Sequence, residues 1–291
     1  MICINDGTPD NSMGIVNDFA SRHENLHILN QKNQGLSCAR NAGLRIAKGD
    51  YIWFVDSDDK IAEHSLTELE KIVLKDTNSD ILGFDICKIQ ENTKSESTEK
   101  IVLRKENNCL YGQCVNVNQL IHKTHIAPVQ RFVFRKAFLD KYHLDFYPKI
   151  LHEDKEFMVR ALFLAEKIIL VDYSPYYYLV RSSGSIMSSI DMQSIYSKMT
   201  IIDSFRTFKS NYTKSVASKI YFNDNIYLQV LDILSHKIAS SEYREIIKKN
   251  SWQFRRIAFN GLLTNIYYGD IRKIIKAITV LLSPSLYTKL I

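Results

Sequence analysis

The stretch Tyr51-Ile-Trp-Phe-Val-Asp-Ser-Asp-Asp-Lys-Ile61 decides the fold that we predict. Its apolar run, residues 51–55, follows Gly49 and leads directly into an acidic cluster, a pattern typical of a buried parallel strand that ends at a ligand site. The cluster consists of Asp56, Asp58 and Asp59. Carboxylates are preferred ligands of Mg²⁺ and Mn²⁺, so the stretch predicts a cation site, although Ser-Asp-Asp is also common in solvated turns.

Side chains alternate along a strand, so strand geometry predicts that Asp56 and Asp58 point to one side and Asp59 to the other. The flanking sequence alternates strand and helix patterns, which is typical of a parallel α/β sheet. Strands are predicted over residues 2–4, 26–29, 51–55, 81–89 and 168–171, and helices over 12–22, 37–48 and 65–75, with Ser37 and Gly49 capping the second. Residues 131–138 predict a strand entering a helix, 151–157 a helix start, and 173–186 a loop.

The chain of 291 residues has room for two modest domains. From about Met192 onward the pattern is helical, with breaks expected near 223–225, 268–270 and 283–285. The net charge of +6 is uneven, because residues 198–291 carry +9 and the preceding residues −3. We therefore predict an α/β domain over residues 1–190 and a helical, basic C-terminal region over 191–291.

The cysteine count and the hydropathy favour a cytoplasmic protein. The five cysteines are odd in number and scattered, which is typical of reduced thiols. There is no leader pattern and no apolar run near the ~20 residues of a membrane-spanning helix. One set resembles zinc ligands, but its spacing fits no standard finger, so we interpret its members as ordinary residues: Cys109, Cys114, His122 and His125.

Four blocks, taken in order, resemble the family 2 glycosyltransferases of GT-A fold, particularly the bacterial branch that builds surface polysaccharides. The resemblance covers about residues 1–190. The blocks are Asn5-Asp-Gly-Thr-Pro-Asp10, Asn33-Gln-Gly-Leu-Ser-Cys-Ala-Arg-Asn-Ala-Gly43, Tyr51 to Asp59, and His152-Glu-Asp-Lys-Glu-Phe157. The resemblance implies a GT-A (Rossmann-like), mostly parallel sheet flanked by helices. It also implies transfer of a sugar from a nucleotide-sugar, a UDP-sugar by preference, to a saccharide or lipid-linked acceptor with inversion.

The resemblance also implies roles for single residues at the donor site. Asp6 resembles the aspartate that accepts a hydrogen bond from uracil, and Arg40 and Asn41 stand where the family contacts the nucleotide. Asp56 corresponds to the residue near the ribose and donor sugar. Asp58 and Asp59 are the candidate ligands of a Mn²⁺ or Mg²⁺ ion on the diphosphate, and their order stays open. Taken alone, Asp6 would be read as a turn cap and Arg40 as a surface arginine.

At the acceptor side, the resemblance implies that Asp154 is the catalytic base, with Glu153 as its neighbour. Taken alone, the pair would be read as helix N-terminal carboxylates placed for the helix dipole. The aromatic and basic residues that follow are equally compatible with a sugar-binding loop and with a strand edge packed on the core: Tyr176, Tyr177, Tyr178, Arg181 and Ser185.

The sequence departs from the family pattern at its start. The family opens with a strand and a helix before the strand that ends at Asn5, and this sequence does not supply them. We therefore expect a truncated copy, and the alternative to an active transferase is a non-catalytic remnant or binding module. The basic tail alone would suit nucleic acid, but no recognisable module supports that reading.

The C-terminal helices combine apolar and cationic residues at helical spacing. Residues 250–282 alternate isoleucine and leucine with arginine and lysine. This composition suits peripheral docking on an anionic membrane surface, at the inner face of the plasma membrane, where a lipid-linked acceptor would lie. The alternative is that these helices pack on the catalytic domain and show solvent a basic face.

Overall fold

The computed structural model describes residues 1–75, 78–90, 99–101, 114–115, 117–120, 128–180, 192–213, 215–236 and 240–290. The chain divides into two compact units, Met1–Gly184 and Ser185–Ile291. All strands of the described residues belong to the first unit, and the described part of the second is helical.

The first unit contains nine strands and six helices among its described residues. The strands are β1 (Ile2–Asn5), β2 (His27–Asn30), β3 (Tyr51–Trp53), β4 (Lys60–Ile61), β5 (Ile81–Gln90), β6 (Glu99–Ile101), β7 (Cys114–Val115), β8 (Phe132–Arg135) and β9 (Ile168–Val180). The helices are α1 (Ser12–Ala20), α2 (Leu36–Ile46), α3 (Ser65–Lys75), α4 (Val117–Leu120), α5 (Lys136–Lys141) and α6 (Glu153–Leu164).

The strands form two sheets, and the larger one is mixed rather than mostly parallel. β1 and β2 pair in parallel as a two-stranded sheet. The seven-stranded sheet has the order β3-β8-β5-β9-β4, with β6 on β5 and β7 on β9. Among the described strands of this sheet, only β5 and β9 pair in parallel. The apolar residues Ile81, Leu82 and Phe84 of β5 are fully buried because each face of the strand packs in a hydrophobic cluster.

Two predicted strands differ from those observed. β3 ends at Trp53 and pairs antiparallel with β8, so the prediction of a buried parallel strand over 51–55 is wrong. β9 continues to Val180, although residues 173–186 predicted a loop. The ladder between β5 and β9 shifts register after Val171 and resumes at Tyr176. Pro175 lies in that irregularity, where a residue without a backbone N–H is tolerated. The proline therefore interrupts the ladder locally and does not end the strand.

The ends of α2 also differ from the prediction. Gly35, with a φ of 86°, occupies the N-cap position, and Ser37 lies inside the first turn. The Ser37 hydroxyl accepts a hydrogen bond from the Lys149 backbone N–H at 2.8 Å instead of capping the helix. The helix ends at Ile46 because Ala47 is extended, and Gly49 plays no part in its end.

An aromatic cluster fixes α6 against the end of β3. Phe157 of α6 stacks on Phe146 with ring centroids 4.2 Å apart, and it meets Phe134 of β8 edge-on at 5.4 Å. Phe54, the residue after β3, packs edge-on against Phe146 at 5.0 Å. All four rings are buried. Burial of large rings is a main source of stability, so this cluster sets the distance between the turn after β3 and the start of α6.

The second unit contains six helices among its described residues: α7 (Met192–Tyr212), α8 (Val216–Ser235), α9 (Ser241–Lys249), α10 (Ser251–Tyr268), α11 (Ile271–Leu282) and α12 (Pro284–Leu290). The breaks predicted near 268–270 and 283–285 are confirmed, and the break near 223–225 is wrong. α8 runs through Asn223-Asp224-Asn225, since the side chains of Asn223 and Asp224 bond neighbouring helices rather than their own backbone. Across the described residues, no helix combines the length and the apolar character that crossing a membrane requires.

Candidate functional site

The acidic cluster lies in the turn that follows β3. The backbone N–H of Asp59 donates to the carbonyl of Asp56 at 3.2 Å, which closes the turn. One carboxylate oxygen from each of Asp56, Asp58 and Asp59 lies within 4.8 Å of the others. The prediction that Asp59 points away from its two neighbours is therefore wrong, because strand alternation stops before Asp56.

Protein contacts fix the orientation of the Asp56 carboxylate. Its Oδ1 accepts from Nη2 of Arg40 at 2.8 Å, and its Oδ2 accepts from Nε2 of Gln130. Gln130 is itself held in place, since its backbone carbonyl accepts from the Trp53 indole at 2.8 Å. Asp56 thus faces the turn with little freedom to rotate.

Asp59 is oriented by β9. Its Oδ2 accepts from the hydroxyl of Tyr176, and its Oδ1 accepts from the backbone N–H of Leu179 at 2.9 Å. Burial raises the pKa of the Asp59 carboxyl, and the charges of Asp58 and Asp56 raise it further against those two hydrogen bonds. Burial is the main cause of this shift, and the charges of the two neighbouring carboxylates add to it.

Arg40 joins the acidic turn to the start of α6. While Nη2 pairs with Asp56, Nη1 pairs with Oε1 of Glu153 at 2.6 Å, and both side chains of this second pair are buried. Burial raises the pKa of the Glu153 carboxyl, an effect that the Arg40 charge opposes. The resemblance placed Arg40 against the nucleotide, whereas here its guanidinium bonds two carboxylates of the protein.

Asp154 follows Glu153 at the start of α6 and is half-buried. Its Oδ1 accepts from the backbone N–H of Lys155 at 2.7 Å. The helix begins after His152, which has a φ of 61°, so the chain turns sharply into α6 at this point. The free N–H groups at a helix start attract a carboxylate side chain placed there.

The Asp6 carboxylate organises the segment that leads into α2. Its Oδ1 accepts from Nε2 of Gln31 at 2.6 Å and from the Gln34 N–H at 2.9 Å. Its Oδ2 accepts from the Gly35 N–H at 2.8 Å. Since Gly35 is the N-cap of α2, Asp6 and Arg40 are connected through one helix.

Asn41 anchors the segment that precedes α6. Its Nδ2 donates to the Phe146 carbonyl at 2.7 Å, and its Oδ1 accepts from the Phe146 N–H at 2.8 Å. With the bond from Lys149 to Ser37, α2 holds residues 146–149 at two points. The observed contacts of Asn41 are thus with the protein backbone.

The sequence did not predict the contacts that two residues make with the acidic turn. Gln130 had no signal, because nothing local marks its pairing with a residue 74 positions away. The sequence left Tyr176 open between a sugar-binding loop and a strand edge packed on the core; it is a buried residue of β9, and its hydroxyl donates to Asp59. Arg181, Ser185, Cys109, His122 and His125 lie outside the described residues, and Cys114 belongs to β7.

Fold and site together define an α/β protein with a charged turn at the end of a strand. Residues 1–142 match the family model for glycosyl transferase family 2. Over these residues, slightly less than half of the chain, the predicted resemblance to the family 2 glycosyltransferases is confirmed, and three of the four sequence blocks lie within the match.

Named relatives agree with this assignment. The chain is 31% identical over 182 residues to the uncharacterized glycosyltransferase EpsJ of Bacillus subtilis (strain 168), which aligns 61% of this chain with 52% of that protein. It is 30% identical over 192 residues to a poly(ribitol-phosphate) beta-glucosyltransferase of Bacillus spizizenii, which aligns 65% of this chain with 28% of that protein. The chain thus spans about half or less of the length of these two relatives.

Solved structures share the fold. The structure of S. aureus TarS 1–349 in complex with UDP-GlcNAc matches with a TM-score of 0.66 and 18% identity, over 95% of this chain and 80% of that one. A mannosyltransferase from Pyrobaculum calidifontis, in complex with GDP-Man and Mn²⁺, matches with a TM-score of 0.51 and 13% identity, over 99% of this chain and 76% of that one. The predicted fold class, a GT-A α/β fold with a helical C-terminal region, is confirmed.

Proposed function

We propose that the protein transfers a sugar from a UDP-sugar to a saccharide or lipid-linked acceptor, with inversion, in polysaccharide biosynthesis. Residues 1–190 would form the catalytic domain. The observation that carries this proposal is the buried bridge from Asp56 through Arg40 to Glu153, which ties an acidic turn to the helix start that bears Asp154. UDP-GlcNAc bound to a neighbour of the same fold supports the choice of donor.

The acidic turn fits a divalent cation. Ligand oxygens lie about 2.0–2.6 Å from Mg²⁺ or Ca²⁺, so oxygens on opposite sides of an ion are about 4–5 Å apart. The three carboxylate oxygens lie within 4.8 Å of one another, which is inside this range for Ca²⁺ and slightly wider than the about 4.2 Å that bonds to Mg²⁺ would span. We propose the exposed Asp58 as the principal ligand, with Asp59 and Asp56 held beside it. A bound Mn²⁺ or Mg²⁺ would supply positive charge to a departing diphosphate.

Asp154 would act as the general base in this proposal. Its carboxylate takes the proton of the acceptor hydroxyl while that oxygen forms a bond to the anomeric carbon. The bond from the anomeric carbon to the UDP oxygen breaks, and UDP leaves with the electron pair. Glu153 cannot share this role while it is paired with Arg40.

Sugar transfer with a panel of UDP-sugars and Mn²⁺ tests this function, with release of UDP as the readout. We expect turnover in the unaltered chain and a loss of about 10²–10⁴-fold in Asp154→Asn, as for removal of a general base. Asp140→Asn, at an exposed aspartate of α5, is the matched control. UDP binding without turnover in any variant would instead support the non-catalytic alternative.

We also propose that α10 and α11 dock on an anionic membrane surface, where a lipid-linked acceptor would lie. Four aliphatic residues form one exposed face of α11 at helical spacing: Ile271, Ile275, Ile278 and Leu282. Arg272 and Lys276 are exposed beside that face. An exposed aliphatic row flanked by cations is complementary to acyl chains under anionic headgroups.

Liposome flotation tests the docking proposal. We expect the chain to float with vesicles that contain phosphatidylglycerol and to stay behind with neutral phosphatidylcholine. Ile275→Ser/Ile278→Ser should lose flotation, whereas Leu66→Ser/Leu74→Ser, at exposed leucines of α3, should retain it. Equal flotation of the two double variants would overturn the proposal.

A further inference from the structure

A cavity of about 390 Å³ lies in the second unit, lined by residues of α7, α8 and α10. Its size falls at the lower end of the range typical of small-molecule sites. The lining includes four cationic side chains and no aspartate or glutamate; the cations are Arg206, Lys209, Lys219 and Arg256. The cavity is therefore strongly positive.

One of these four cations has a carboxylate partner among the described residues. Arg206 pairs with Asp203 at 3.6 Å, through a carboxylate outside the cavity lining. Within the described ranges, no carboxylate pairs with Lys209, Lys219 or Arg256. Like charges held together without a counter-ion repel each other, so an anion in the cavity would stabilise the arrangement.

Lys209 is the most constrained of the four. It is half-buried, and its ammonium donates at 2.5 Å to Oδ1 of Asn223, a neutral partner. Burial lowers the pKa of the Lys209 ammonium, and the nearby charge of Lys219 lowers it further. A partly desolvated ammonium with only a neutral partner is costly to keep charged, and a bound anion would offset that cost.

An aromatic side chain orients the cation at the rim. The Arg256 guanidinium lies 5.6 Å from the centre of the Trp252 ring, and Trp252 is 71% exposed. Arginine presents a planar fork that suits two oxygens of one phosphate. Together with two lysines, this arrangement favours a multiply charged oxyanion over a single carboxylate.

We propose that the cavity formed by Lys209, Lys219 and Arg256 binds a phosphate group, carried either by a molecule free in solution or by a lipid. This site is separate in the sequence from the acidic turn, and the proposal does not depend on the activity proposed above. It gives the helical unit a ligand of its own.

Calorimetric titration with inorganic pyrophosphate, in the presence of EDTA, tests this site without any contribution from cation-dependent binding at the acidic turn. We expect saturable binding that weakens by about tenfold or more in Lys219→Gln/Arg256→Gln, since each charge-assisted contact contributes on that scale. The matched control is Arg244→Gln/Lys248→Gln, which removes the same charge from the exposed face of α9.

Competition then identifies the carrier of the phosphate. Vesicles with phosphatidylglycerol that displace pyrophosphate from both the unaltered chain and Ile275→Ser/Ile278→Ser would assign it to a lipid headgroup. Pyrophosphate binding without such displacement would assign it to a molecule free in solution. Absence of pyrophosphate binding, or equal weakening in the α9 control, would overturn the proposal.

Discussion

Arg40 shows how one side chain can serve both stability and a reaction site. It is buried, it pairs with Asp56 and Glu153, and its guanidinium carbon lies 5.3 Å from the centre of the Phe146 ring. A buried cation between two carboxylates restrains both of them, because leaving either acid unpaired in this environment is costly. The geometry of the acidic turn therefore depends on a residue that need not touch substrate.

Arg40→Met should destabilise the protein by about 3–5 kcal/mol near neutral pH, because it leaves Glu153 buried without a counter-charge. Burial already raises the Glu153 pKa above its ordinary 4.5, and loss of Arg40 raises it further. When the pKa of a carboxyl is higher in the folded than in the unfolded state, the folded protein is favoured at low pH, where the carboxyl is protonated. This stabilisation is lost as the pH rises through the pKa of the folded state. The decrease in the free energy of unfolding that Arg40→Met causes should thus be larger at about pH 7.5 than at about pH 5, as measured by urea unfolding.

The control for this prediction removes the second partner as well. In Arg40→Met/Glu153→Gln no buried charge remains at position 153, so the extra pH dependence should disappear. A single variant whose destabilisation is the same at both pH values would show that Glu153 is not the group left unpaired.

At the level of single residues, the sequence marked the acidic residues of the turn after β3 but not the contacts they make. Asp56, Asp58 and Asp59 follow an apolar run, and that local signal was sufficient to mark them. The partners Gln130 and Tyr176 come from positions 74 and 120 residues away. Such pairings depend on the strand order of the whole sheet, which no local pattern contains.

Among the elements, the contact between α8 and α10 depends on a glycine. A Cβ added at Gly261 would lie 2.4 Å from Cγ of Tyr227, whose ring is fully buried. The Tyr227 hydroxyl donates to the Lys273 carbonyl at 3.0 Å, so the ring cannot move aside without losing that bond. The two helices can approach this closely because position 261 has no side chain.

Overpacking in Gly261→Ala should lower the free energy of unfolding by about 1–3 kcal/mol. The higher helix propensity of alanine offsets about 1 kcal/mol of this, so we expect a net destabilisation. Gly43→Ala in α2 is the matched control, since its added Cβ would lie 3.5 Å from Ile4, an ordinary contact distance. We expect this second variant to be neutral or slightly stabilised in thermal unfolding. Stabilisation of Gly261→Ala would contradict the observed helix packing.

Element types were largely predictable from the sequence, and pairing directions were not. The α3 prediction over 65–75 is confirmed, because its apolar spacing is strong and local. β3 was predicted as a parallel strand because its apolar run resembles one buried on both faces. The antiparallel partner β8 begins 81 positions after Tyr51 in the sequence, so the direction follows from topology alone.

For the whole molecule, we predict that a divalent cation stabilises the fold. A ligand that binds only the folded state stabilises it, by about 2.7 kcal/mol at a hundred times its dissociation constant. Mn²⁺ should thus raise the unfolding temperature of the unaltered chain but not that of Asp58→Asn. Asp10→Asn, at an exposed aspartate after β1, should respond to Mn²⁺ like the unaltered chain.

Titration of UDP into the chain by calorimetry, with and without Mn²⁺, tests whether the turn after β3 holds a cation that in turn holds a nucleoside diphosphate. We predict UDP binding that requires Mn²⁺ and is lost in Asp58→Asn but kept in Asp154→Asn. UDP binding of equal strength without Mn²⁺ or in Asp58→Asn, or no binding under any of these conditions, would contradict it.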